Sequence, residues 1–134
     1  MLLRCLSHLK ATVLAVSLIL LAHGGQADEA EPATGRIDIE QAGDGFRISG
    51  LVTGHADTAI MAELTIAKRD AAGQVSSTQS REISLTPDET QTLAQSTLSL
   101  GPDGQIDAVL TLSRDGVAFA RIERSVRDGR IETR

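Results

Sequence analysis

The segment "AIMAELTIAKR" (59–69) alternates apolar and polar side chains from end to end. That period of two is the strongest constraint in the chain. It puts Ile60, Ala62, Leu64 and Ile66 on one face and Met61, Glu63, Thr65 and Ala67 on the other only if the backbone is extended. A helix would need apolar residues three and four apart, and they are not there. The same period recurs in "RIDIE" (36–40), "FRISGLVTG" (46–54) and "QTLAQSTLSL" (91–100). It returns in "IDAVLTLSR" (106–114), where Ile106, Ala108, Leu110 and Leu112 share a face. Turn chemistry separates the runs: "QAGDG" with two glycines, "DAAG", "GPDG" and Asp115-Gly116. Asp-Gly suits a two-residue hairpin, since both central positions of a type I′ turn need positive φ.

Three further segments are less regular. "QVSSTQSREISL" (74–85) is polar except at Val75, Ile83 and Leu85, as expected of an edge strand with an exposed middle. "TPDET" (86–90) suggests a short helical turn, with Thr86 capping and Pro87 at the first helical position. "VAFARIERSV" (117–126) carries apolar residues of both parities, so its faces cannot be assigned. Gly50 falls where a packed side chain belongs, which implies a bulge or a close backbone approach. Seven short strands with evenly spaced turns predict an all-β fold, an immunoglobulin-like antiparallel β-sandwich of about seven strands.

The N-terminus reads differently. Arg4 and Lys10 precede an uncharged apolar run, "ATVLAVSLILLA" (11–22), and the small-x-small pair Gly25 and Ala27 follows. This is the pattern of a cleaved secretory signal peptide over residues 1–27, and the apolar run is too short for a membrane anchor. Cleavage would leave 107 of the 134 residues and remove Cys5, the sole cysteine. It would also remove two positive charges, taking the net charge from −5 to −7. Such an acidic chain is unsuited to nucleic acid or to anionic membranes. The expected organisation is a flexible lead-in at 28–35, the sandwich at 36–127 and a frayed tail at 128–134. With only Phe46 and Phe119 as mature aromatics, the core must be aliphatic.

Chemistry is hard to find. His55 and Asp57 share a loop, but no third orienting group is implied for a nucleophile and base. One mature histidine and no mature cysteine make a poor zinc site. Asp44, Asp70, Asp103, Asp115 and Asp128 fall singly at turns, where turn geometry accounts for them, and no glycine-rich loop leads from strand to helix. The expectation is no catalysis, no cofactor and no metal. Charge distribution is the remaining lead. Lys68, Arg69 and Arg81 flank the hairpin between the third and fourth strands, and six arginines lie between 114 and 134. These charges either gather into a basic patch or merely keep strand edges soluble.

The segments "KRDAAGQVSSTQSREISL", "TLAQSTLSLGPDGQIDAVLTL" and "SRDGVAFARIERSV" resemble the CsgC/CsgH family of periplasmic curli assembly proteins, CsgH more closely than CsgC. The cysteine pair associated with CsgC has no counterpart here, where "TAIMAE" stands, so no redox role carries over. The resemblance implies an ATP-independent periplasmic chaperone, and the chain is expected to be a monomer. Its partner would be a curlin-type amyloid subunit, bound transiently before secretion, with Lys68, Arg69 and Arg81 as client-binding residues. The competing class is a structural or adhesive subunit of an extracellular fibre. Against it stand the missing repeats, Asn ladders and aromatics that stabilise stacked fibres.

Overall fold

The computed structural model describes residues 31–133, and the predicted signal peptide lies outside them. Eight strands follow one another: β1 (Ala33–Ala42), β2 (Gly45–Gly54), β3 (Thr58–Asp70), β4 (Gly73–Leu85), β5 (Thr90–Ser99), β6 (Gln105–Arg114), β7 (Val117–Arg127) and β8 (Arg130–Thr133). They form two antiparallel sheets, one ordered β1-β2-β5 and the other β4-β3-β6-β7-β8. Strands β1 and β2 of the narrow sheet pack on β6, β7 and β3, while β5 lies beside β3 and β4.

Turn chemistry accounts for the hairpins. Asp115-Gly116 takes φ values of 53° and 80° and joins β6 to β7. Asp128-Gly129, at 51° and 74°, joins β7 to β8 in the same way, so the segment expected to fray adds an eighth strand. In "TPDET", Glu89 N–H donates to the Thr86 carbonyl at 3.2 Å and Asp88 sits at φ 64°. That is a β-turn, not the expected helical turn, because a left-handed residue ends any helical path. "GPDG" makes the same Pro-Asp turn, closed by Gly104 N–H on the Gly101 carbonyl at 3.1 Å with Asp103 at φ 58°.

The alternation of β3 and β6 is realised as read, with Ile60, Ala62, Leu64, Ile106, Ala108, Leu110 and Leu112 fully buried. In β7 the register slips opposite Leu112 and Ser113, where Phe119 is the extra residue. This bulge reverses the parity, which is why both faces carried apolar residues. β1 begins at Ala33, which is fully buried, so the lead-in is already strand three residues before Arg36. A side chain at Gly35 would strike the methyls of Ile122 and Leu110 at 2.7 and 2.9 Å, and one at Gly50 would meet Leu64 at 3.2 Å. Leu110 and Leu64 are direct register partners on the facing sheet. Two leucine knobs therefore fill two glycine notches, and the sheets close on a core that is aliphatic apart from Phe46. The register shift near Gly50 also exists, but its extra residue is Leu93 on β5.

Candidate functional site

The three basic residues expected to meet a partner do not form one patch. Lys68 continues the inward series of β3 to the open end of the sandwich, where its Nζ lies 3.1 Å from Asp70 Oδ2. Both groups are largely covered, with side chains 16% and 4% exposed. The Asp70 carboxylate also accepts the Ala72 amide at 2.9 Å and the Gly101 amide at 3.1 Å, which ties the β3–β4 turn to the Pro102 turn. Arg69 projects from the opposite face of β3, beside a surface cleft of about 290 Å³ bordered by Gln74, Ser76, Gln105 and Asp107. Arg81 pairs in register with Ala62, while Lys68 pairs with Val75. Six residues of strand, roughly 20 Å, separate the two positions.

The Gly101 amide, with help from Lys68 and the Ala72 amide, holds the Asp70 carboxyl below its ordinary value of 3.8. A lowered folded-state pKa contributes stability above the unfolded value and loses it as pH falls through the folded one. Asp70→Asn is therefore expected to lower the melting temperature at pH 7, and the gap from wild type should narrow as the pH drops below 3.8. A gap that stayed constant from pH 7 to pH 2.5 in thermal melts would show that the charge of Asp70 plays no part.

Arg81 and Arg124 share another arrangement. Both stand at inward positions on the wide sheet and reach the outer strands of the narrow one. Arg81 Nη2 donates to the Thr92 carbonyl of β5 at 2.9 Å, and Arg124 Nη1 donates to the Ile37 carbonyl of β1 at 3.4 Å. Inward-pointing charges at sheet edges obstruct edge-to-edge pairing. Gln91 Nε2 adds a bond to the Ser84 carbonyl at 2.8 Å, so β5 is fastened to β4 along residues 81–84. Sequence reading missed this role, although Arg81 shares the parity of Ile83 and Leu85 and so its face was there to be read; the face of Arg124 was hidden by the bulge in β7.

Beyond that fastening, β4 runs on without cover. All ten residues from Gly73 to Glu82 are exposed, and Val75 remains 55% accessible. The predicted edge position of this strand is correct. Its register against β3 is unbroken over all thirteen residues, and Thr65 and Thr78 pair across it through their hydroxyls at 3.1 Å. In the loop after β2, the His55 ring bonds to the Thr34 hydroxyl rather than to Asp57. Among the described residues, no group of three or more His, Cys, Asp or Glu side chains could hold a metal ion.

No family model and no curated protein matches the chain. Solved structures do. R. palustris CsgH, determined in solution, superposes with a TM-score of 0.56 at 18% identity over 72% of this chain and 93% of its own. The E. coli curli protein CsgC gives 0.59 at 19% identity over 69% of this chain and 96% of its own. The fold is that of CsgC and CsgH. Near-complete coverage of both neighbours means that the two-sheet arrangement matches as a whole. The two scores are too close to favour CsgH over CsgC, so the nearer likeness to CsgH expected from sequence rests on the absent cysteine pair alone.

Proposed function

We propose that this protein serves curli biogenesis as a periplasmic, non-enzymatic and ATP-independent chaperone that keeps curlin-type subunits from forming amyloid prematurely. The observation that carries this reading is the fold shared with a curli protein across 96% of that protein's length. Two features of the chain agree with it. A mainly aliphatic core closed by leucine knobs makes a rigid scaffold, and a long polar edge can meet extended chains without a permanent apolar interface. Disordered amyloid-forming subunits in transit need such a partner, because transiently exposed strand edges stack readily.

The mature chain, residues 28–134, should lengthen the lag of curlin fibrillation at concentrations well below that of the curlin, followed by thioflavin fluorescence. An unchanged lag at equal concentrations defeats the proposal. Thioflavin-positive fibrils formed by this protein alone would favour the fibre-subunit reading in its place.

A further inference from the structure

The described edges of the two sheets are not alike. β1 carries Arg36, Asp38 and Glu40 along its length and has the Arg124 guanidinium over its Ile37 carbonyl. β5 is interrupted by the Leu93 bulge and held by Arg81 and by its own Gln91. β8 is four residues long, and two of them, Arg130 and Glu132, are charged. Charge, bulges and shortness are the usual means of blunting an edge. The stretch "GQVSSTQS" of β4, residues 73–80, has none of them: it contains no charge, no proline and no register shift. Its composition of Val, Ser, Thr and Gln is extended and hydrogen-bonding rather than apolar.

We propose that the edge of β4 over residues 73–80 accepts an uncharged, extended strand at the end of a growing cross-β aggregate, by backbone hydrogen bonding. This rests on the chaperone reading and names the surface that serves it. The occupant follows from chemistry. An unpaired strand edge is completed by another strand. Segments that nucleate cross-β structure are about six or seven residues long, with low charge and no proline, and the uncharged stretch of β4 has the matching length and character. A second copy of this chain fits less well, because each copy brings a net charge of −5, or −7 once the expected signal is removed. A strand docked on β4 joins a twisted sheet, whereas stacked fibrils are flat. The docked end is thus a poor template for the next strand. Ends are few compared with monomers, so capping them acts at low stoichiometry.

The test uses sonicated fibril seeds of a synthetic peptide made of uncharged Ser, Gln and Asn residues, alongside curlin itself. Ser77→Lys with Gln79→Lys puts two charges on exposed positions of the open edge. Gln95→Lys with Ser99→Lys puts the same charges on exposed positions of the guarded β5 edge. With wild type held below the concentration of seed ends, amide hydrogen exchange should slow within residues 73–80 when seeds are added, and seed elongation should slow in step. The β4 variant should need at least tenfold more protein for the same slowing, with its melting temperature nearly unchanged, and the β5 variant should match wild type. Equal loss in both variants, or protection confined to another strand, overturns the proposal. Protection of β4 that rises with protein concentration in the absence of seeds would assign the edge to a second copy and also overturn it. If seeds protect β4 while curlin is unaffected, the edge proposal stands and the curli reading falls. If curlin is delayed while β4 stays unprotected, the reverse holds.

Discussion

Leu110→Ala should lower the stability of the domain by about 2–5 kcal/mol, the range for a buried leucine truncated in a core that collapses only partly. Leu110 lies in β6, the middle strand of the wide sheet, with no solvent exposure. It pairs in register with Leu64 on one side and Ile122 on the other. Its methyl group also occupies the notch at Gly35, where a side chain would approach it to 2.9 Å. Truncation therefore leaves a void against β1 as well as within its own sheet, and the glycine opposite has no side chain to move into it. A domain near 100 residues loses roughly 4–8 °C per kcal/mol, so a 3 kcal/mol loss corresponds to a melting temperature lower by about 12–24 °C. Val117→Ala is the natural comparison. That residue is 68% exposed, and its truncation should stay within about 0.5 kcal/mol. Similar melting temperatures for the two variants would show that the leucine knob is not a main closure of the sandwich.

What could be read in advance followed the physics of each element. β3 and β6 are buried on one face and solvated on the other, so burial wrote a clean alternation into them. β7 hid its faces because Phe119 is an extra residue, and a one-residue bulge exchanges inside and outside. β8 was within reach, since Asp128-Gly129 repeats the turn dipeptide already recognised at Asp115-Gly116. A short strand with Arg130 and Glu132 simply looked like a solvated tail. The start of β1 was harder. Ala33 and Gly35 are small because they sit against the facing sheet, yet small residues next to an acidic segment read as a linker.

The candidate surface divided along the same line. That β4 is a polar edge was legible, because only Val75, Ile83 and Leu85 broke its polarity. The roles of the basic residues were not. Lys68 falls on the inward parity of β3, and Asp70, two residues on, supplies its counter-charge. Arg81 turns inward to Thr92, so its charge guards an edge instead of joining Arg69 in a patch. Such pairings depend on which strands meet across the sandwich, and one strand's sequence carries no record of that.

The turn "QAGDG" separates two reasons for a glycine, and the larger consequence belongs to the second of them. Gly43 takes φ 61°, with open space where a side chain would stand. Gly45 has no such φ, but a Cβ there would lie 2.1 Å from the Leu98 carbonyl oxygen and 2.9 Å from the Ser99 Cα. Those atoms are backbone of β5, the strand paired with β2 at this point, so no rotamer change relieves the clash. Gly45→Ala must push the two strands apart beside Phe46 and Leu98, which pack on the core. The expected loss is about 1–3 kcal/mol or more, the cost of overpacking when the backbone itself has to yield. Gly43→Asn keeps a residue that tolerates positive φ and should cost no more than about 0.5 kcal/mol. Urea unfolding of the two variants ranks them directly. If Gly43→Asn proves the more damaging, the turn conformation governs this corner of the fold, and the close approach of β2 to β5 does not.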